Sequence, residues 1–351
     1  MIIPKAFGRN PTGARLIEIK KSSQYNNDGF QNLSNTPMML QGVSYPKIIW
    51  KFFNKPKNAA PPAPIPSVNT DLKNLRKLSV ANPVIVWFGH SSYLIHIDGL
   101  HILVDPVFSG HASPFGFMTK SFRGSDAYTV EDLPEIDVLI LTHDHYDHLD
   151  YETVSKLKAK TKMICTSLGV GAHLEYWGWK DVHISEFDWW TRRSLENGLT
   201  ITAAPARHFS GRGLTRSKTF WSSFILQKDG IKIFVGGDSG YDNHFLRIGE
   251  SYGPFDLVIL ECGQYNEAWP YMHLMPEQTV HAAMDLRANL LLPVHWGKFA
   301  LSLHAWDEPI RRAGIRASEL NMPLTSPMIG EPIILKESIP TRPWWEMVIG
   351  H

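Results

Sequence analysis

The chain reads as an α/β fold built from two similar halves, and three observations lead there. Asp137-Val-Leu-Ile-Leu141 is continuously apolar, the pattern of a strand buried on both faces. Tyr93–Ile97 meets Leu100–Val104 across Asp98-Gly99, a favoured two-residue hairpin turn. The stretch Ser91–Val104 then aligns without gaps on Ser222–Val235 at a constant offset of 131, and Asp137-Val-Leu-Ile-Leu is echoed by Asp256-Leu-Val-Ile-Leu260. Two copies of a hairpin plus buried strand predict an internally duplicated α/β architecture.

The remaining elements follow in order. Val84–Phe88 opens the strand signals, and after Leu141 a helix over Glu152–Ala159 leads to a strand at Met163–Ser167. A helix near Gly169–Trp177 and strands at Val182–Phe187, Leu199–Ala204 and Ile231–Val235 come next. Pro276–Leu286 reads as a helix with proline in its first turn, and Leu290–Val294 as a short strand. Asp307–Ala317 is the last predicted helix and Pro332–Leu335 the last strand.

Residues 1–80 stand apart from a main domain over 81–351. Lys21–Pro37 is polar and weakly periodic, and five prolines between Pro56 and Pro66 predict an extended connector rather than a packed element. Tyr45–Lys55 is basic and aromatic together. It is expected to wrap onto the main domain through its aromatics, with contact to a lipid surface as the sharper alternative.

Composition excludes several classes. The 35 Lys and Arg against 34 Asp and Glu give a net charge of +1, which offers no global pull towards nucleic acid or acidic membranes. Cys165 and Cys262 each lie in an apolar run, so buried thiols are expected rather than a disulfide. Residues 1–30 lack a signal-peptide pattern, and no stretch reaches the ~18 apolar residues of a spanning helix. A cytoplasmic protein is expected, peripheral to a membrane at most. Of the twelve tryptophans most are expected in the core, which leaves some to line a pocket or sit at a lipid interface.

The chemistry concentrates in His143-Asp-His-Tyr-Asp-His148, directly after the buried strand. Three imidazoles and two carboxylates in six residues are donors for zinc, iron or manganese, and burying them without a cation is costly. His143 and His145 lie two apart, so on an extended exit from the strand they point the same way. Further donors stand at other strand ends: His208 after Leu199–Ala204, Asp238 after Ile231–Val235 and His295 after Leu290–Val294. Seven donors suit two metals: His143, His145 and His208 on the first, Asp147, His148 and His295 on the second, and Asp238 bridging. Water held between two divalent cations yields a nucleophilic hydroxide near neutral pH, which Asp147 could also orient. Asp105 is a candidate carboxylate behind a ligand imidazole. His90, His96, His101, His111, His173 and His183 share no spacing and read as structural or exposed.

This pattern resembles the metallo-β-lactamase superfamily, whose loop reads H-x-H-x-D-H. Glu186-Phe-Asp-Trp-Trp190, Gly237-Asp-Ser-Gly-Tyr241, Tyr252-Gly-Pro-Phe-Asp256 and His295-Trp-Gly-Lys-Phe-Ala-Leu301 are similar to N-acyl-phosphatidylethanolamine-hydrolysing phospholipase D and its bacterial relatives. The resemblance spans roughly residues 80–320. It implies a four-layer αββα sandwich, a dinuclear zinc site on the seven residues above, and phosphodiester hydrolysis. His273 also matches a family position before a helix, where it would contact a phosphate oxygen or protonate the leaving alkoxide. Tyr146, Tyr265 and Trp269 are candidates for the pocket wall.

The leading expectation is a dinuclear phosphodiesterase acting on an acylated phospholipid, favoured by the Glu186–Trp190 motif and by the proline-rich, tryptophan-bearing N-terminal section. The alternatives are a lactonase or hydrolase of a small phosphorylated metabolite, and a metal-binding scaffold without turnover. An iron redox role is weaker, because no flavin-binding extension follows. The partners expected are a lipid or small-molecule substrate and no nucleic acid, with a membrane surface and a second copy of the chain left open.

Overall fold

The structure, a computed structural model, describes residues 4–349. Helix α1 (Gly13–Ile19), the short hairpin β1 (Tyr25–Asn26) and β2 (Gly29–Phe30), and helix α2 (Tyr45–Phe53) precede the first large sheet. That sheet takes β3 (Val84–Trp87), β4 (Tyr93–Ile97), β5 (Leu100–Val104), β6 (Val138–Leu141), β7 (Met163–Ser167) and β8 (His183–Phe187). Helices α3 (Tyr151–Lys156) and α4 (Gly171–Tyr176) connect its last three strands. The second sheet takes β9 (Arg192–Ser194), β10 (Thr200–Ala204), β11 (Ser223–Lys228), β12 (Ile231–Val235), β13 (Leu257–Glu261) and β14 (Leu291–Val294). Helix α5 (His244–Tyr252) lies between β12 and β13, and α6 (Pro276–Asp285) between β13 and β14. Helix α7 (Glu308–Glu319), β15 (Pro332–Ile334) and α8 (Trp345–Ile349) complete the chain, with β15 returning to pair with β3.

The seven-stranded order is β15-β3-β4-β5-β6-β7-β8 and the six-stranded order β14-β13-β12-β11-β10-β9. The two sheets face each other and helices cover the outside, which is the expected αββα sandwich. The duplication is physical. Strands β4 and β5 pair antiparallel and β6 joins β5 in parallel, while β11, β12 and β13 repeat that arrangement. Both hairpins turn on Asp-Gly with positive φ at each residue, 47° and 77° at Asp98-Gly99 and 48° and 81° at Asp229-Gly230. Those angles belong to the turn whose twist matches the flanking strands.

One continuous core fills the space between the sheets, where Phe187 of β8 meets Phe224 of β11 edge-on at 5.8 Å. A second cluster of Ile19, Phe30, Trp189, Phe220 and Trp221 ties the N-terminal residues to the body. The proline-rich stretch differs from its expectation of an unpacked connector. Ala59 and Ile65 are buried, and the Ile65 amide donates to the Arg123 carbonyl at 2.8 Å. Proline supplies no amide to the ladder, but an apolar residue between prolines can still be buried. The basic-aromatic segment forms α2, whose Phe52 packs on Trp269 while Trp50 stays 64% exposed.

Strands β5 and β6 run parallel, as do β12, β13 and β14, so their carboxyl ends gather at one edge of the sandwich. Functional side chains in α/β sheets collect at such ends.

Candidate metal centre

The loop after β6 carries His143 to His148. His143 and His145 face inward together, whereas Asp144 points the other way into a hydrogen-bonded socket. It accepts from Thr219 Oγ1 at 2.8 Å and the Gly211 amide at 2.7 Å, and His173 Nε2 lies 3.1 Å away. Since His173 Nδ1 accepts from the Arg9 amide at 3.0 Å, its Nε2 carries the proton and donates to Asp144. The buried Arg212 donates to the carbonyls of Asp144 and Leu149, both at 2.7 Å, and so fixes the two ends of the loop.

The seven sequence-predicted donors converge into two groups. His143 Nε2 stands 3.0 Å from His145 Nδ1, which is 3.2 Å from His208 Nε2. One ring nitrogen cannot serve two imidazoles at once as a hydrogen-bond partner. Four ligands held tetrahedrally at ~2.0–2.1 Å from zinc lie about 3.4 Å apart, close to this spacing. His148, Asp147 and His295 form the other group, and Asp238 stands between. Its Oδ1 lies 3.1 Å from His148 Nε2, while its Oδ2 lies 3.6 Å from His208 Nε2 and 3.8 Å from His143 Nε2.

Behind the donors stand partners that set ring orientation. His148 Nδ1 bonds Asp105 Oδ2 at 2.8 Å, and Asp105 also accepts the Thr142 amide at 2.8 Å and hydroxyl at 2.6 Å. His208 Nδ1 donates to the Met272 carbonyl at 2.8 Å, and His295 Nδ1 meets Ser91 Oγ at 2.9 Å. Asp105 thus occupies the supporting position that the sequence assigned to it, with each remaining Nε2 turned into the cleft. Strand-end backbone does the aiming: Asp105 has φ of 40° and His295 of 67°, the left-handed region that non-glycine residues rarely enter. Gly263 is needed for close approach, since a Cβ there would sit 2.1 Å from the His295 carbonyl oxygen.

The site asks for positive charge. Asp105, Asp147, Asp238 and Glu261 are all buried or nearly so, and among the described residues only histidines, no lysine or arginine, pair with them. Burial pushes Asp238 up, yet the facing histidines outweigh it and hold the carboxyl at about 2. Asp147 is likewise held far below the carboxylate range. Burial, aided by neighbouring imidazoles, holds His143, His208 and His295 well below the imidazole range, against an opposing pull of the Asp238 carboxylate on His208. His148 is raised, because three carboxylates outweigh its burial. His148 Nε2, His295 Nε2 and Asp238 Oδ1 are buried without a hydrogen-bond partner. Orphaned donor atoms of that kind, facing one another, fit a divalent cation.

Two residues escaped the sequence reading. His90 was read as structural or exposed, but it is fully buried with its Nε2 2.9 Å from Asp147 Oδ2. Glu261, hidden in the apolar run of β13, bonds His273 Nδ1 at 2.6 Å and accepts the Ser239 amide at 2.6 Å. Both sit at strand ends, the same signal that picked out His208, Asp238 and His295. Burial holds Glu261 above the carboxylate range, and the carboxylates of Glu261 and Asp238 hold His273 above the imidazole range. The pair therefore keeps a proton at neutral pH.

A cleft of about 600 Å³ opens over these groups. Its apolar side includes Met38, Met39, Trp269, Met272 and Leu301. Of the expected wall aromatics only Trp269 lies there. Tyr146 donates to the Arg212 carbonyl and stacks under that guanidinium, and Tyr265 faces a separate cavity beside Glu308 and Arg312. The Glu186–Trp190 motif also lies elsewhere. Glu186 pairs with Arg15 and accepts the Gly171 amide at 2.9 Å, and Trp189 belongs to the second core. That motif is structural here and gives no support to a lipid substrate.

The fold and the donor groups together define a metal-dependent hydrolase of the metallo-β-lactamase kind. The family model described as "Beta-lactamase superfamily domain" matches residues 101–296, and the chain belongs to that superfamily. It is 35% identical to an uncharacterised protein of Mycobacterium tuberculosis over 98% of this chain and 92% of that relative. It is 31% identical to N-acyl-phosphatidylethanolamine-hydrolysing phospholipase D 1 of Caenorhabditis elegans, over 61% of this chain and 64% of the relative. A metallo hydrolase from Ignicoccus hospitalis superposes with a TM-score of 0.57 at 22% identity, covering 74% of this chain and all of that one.

Proposed function

We propose that the chain is a dinuclear phosphodiesterase of phospholipase D type, acting on lipids like N-acyl-phosphatidylethanolamine. The observation that carries it is the split of Asp238, one oxygen towards His148 and the other towards His143 and His208. A bridging carboxylate between two donor groups suits a pair of ions, zinc being the best match to imidazole and carboxylate. His143, His145 and His208 would hold one ion, Asp147, His148 and His295 the other. Bound divalent ions supply a nucleophilic hydroxide near neutral pH and polarise the bond under attack.

The chain's own groups supply the rest. Asp147, backed by His90, accepts a hydrogen bond from the attacking water and turns its lone pair to the phosphorus. His273 is anchored at Nδ1 by Glu261, so its Nε2 is the atom that delivers a proton to the departing alkoxide. The methionine and tryptophan wall excludes water beside the reacting ester and accommodates acyl chains. The similarity to the C. elegans phospholipase D supports the substrate class.

The test is a substrate panel on zinc-loaded protein: a chromogenic phosphodiester, an N-acyl-phosphatidylethanolamine and several lactones. Turnover of both diesters is expected. Lactone turnover without diester turnover overturns the reading.

A further inference from the structure

Resting on that reading, we propose that Arg216 forms an anion subsite, so that the preferred substrate carries a carboxylate or phosphate beyond the bond that is cut. Arg216 is the only lysine or arginine among the described residues lining the cleft. It makes no ion pair among the described residues. Its Nη1 donates to Met38 Sδ at 2.7 Å, and its guanidinium lies 5.3 Å from the centre of the Phe209 ring. A thioether is a weak acceptor, and a guanidinium has five N–H donors. Most of that capacity is therefore turned to the cleft and its solvent.

The neighbouring arginines show what a structural guanidinium looks like in this protein. Arg212 is buried and spends its donors on the carbonyls of Ala6, Asp144 and Leu149. Arg207 is spent on Thr36, the Asn35 and Tyr241 carbonyls and the Asp242 carboxylate. Arg216 alone of the three has no oxygen partner.

The loop that carries it is held in place. The Ser217 amide donates to the Ser210 carbonyl at 3.0 Å and closes the loop at its base. Gly211, with φ of 142°, lets it double back, since a Cβ there would meet the Thr215 carbonyl at 2.9 Å. From the other side the Phe30 amide donates to the Ser217 carbonyl at 2.8 Å. The cation is thus set on a closed loop braced by the N-terminal hairpin.

Phe209 packs edge-on to His145 at 4.5 Å, and the Arg216 guanidinium lies over the same ring. The cleft that Arg216 lines also holds His145, Asp147, Asp238, His273 and His295, so a charge met by Arg216 belongs to the same bound substrate as the ester under attack. Arginine binds carboxylate and phosphate through paired N–H bonds, and a flat aromatic beneath it keeps the plane in place.

The experiment compares two chromogenic diesters on zinc-loaded protein, p-nitrophenyl butyl phosphate and the same molecule with a terminal carboxylate on the butyl chain. The wild type is expected to prefer the carboxylated diester by about tenfold in kcat/KM, mostly through KM. Arg216→Gln should bring that ratio close to one, and Arg216→Lys should restore only part of it. A ratio that Arg216→Gln leaves unchanged, or a wild-type ratio already near one, overturns the subsite. If neither diester is cleaved, the phosphodiesterase reading fails separately. The same pair measured as ligands by titration calorimetry then decides Arg216: a wild-type preference lost in Arg216→Gln supports it, and equal affinities refute it.

Discussion

At the scale of single residues the site depends on donors whose orientation is set from behind. Asp238→Asn removes the carboxylate shared by both groups. It should lower bound metal, measured by elemental analysis, and cut kcat/KM by on the order of a hundredfold or more. Unchanged metal and activity would show the assignment to be wrong. Asp105→Ala touches no candidate ion but frees the His148 ring. A loss of about 10–100-fold in metal affinity is expected, with the folded far-ultraviolet spectrum retained. The sequence made the seven donors legible because four of them crowd into the six residues 143–148 after the β6 apolar run and the other three each follow a further apolar strand. It hid His90 and Glu261, whose positions resemble those of ordinary strand-end residues until the partner side chain is known.

His244 gives the residue scale a pH dependence. Burial holds its imidazole at about 3, against ~6.5 in an unfolded chain. The folded state thus resists the proton. The stability this contributes is full above pH ~6.5 and is lost as pH falls towards 3, at up to about 1.4 kcal/mol per pH unit. Urea midpoints at pH 7.5 and 5.5 should therefore fall less in His244→Gln than in the wild type. Equal falls would mean that the ring is not buried as described.

Elements show a different division between stability and site. Gly99 turns the first hairpin at φ of 77°, and a Cβ there meets nothing within 4 Å. Gly99→Ala should cost about 1 kcal/mol by chemical denaturation and leave zinc affinity alone. Gly263→Ala should instead disturb zinc binding, since its Cβ would sit 2.1 Å from the His295 carbonyl oxygen. Matching losses of zinc affinity in the two variants would argue against that distinction. Hairpins and buried strands were readable because Asp-Gly turns and unbroken apolar runs are local signals. Helix α5 was not readable: Gly249 weakens helix propensity and is explained only by the Asp285 backbone packed against it. The proline-rich stretch misled for the same reason, its packing depending on Arg123, far along the chain.

At the scale of the whole molecule the N-terminal residues and the hydrolase body act together. Lys5 and Ala6 offer carbonyls to Trp177 and Arg212, and Asn32 brackets His208 through its amide and carbonyl at 3.1 and 2.8 Å. Nothing in the composition of residues 1–40 announced these contacts, because they run through two backbone carbonyls and one asparagine. Among the described residues no helix is long and apolar enough to cross a membrane. The central claim is that seven donors hold two ions, and equilibrium zinc titration of the metal-free protein tests it most directly. Two equivalents bound per chain, falling in Asp238→Asn, are expected. A single equivalent or none in the wild type would contradict the dinuclear assignment.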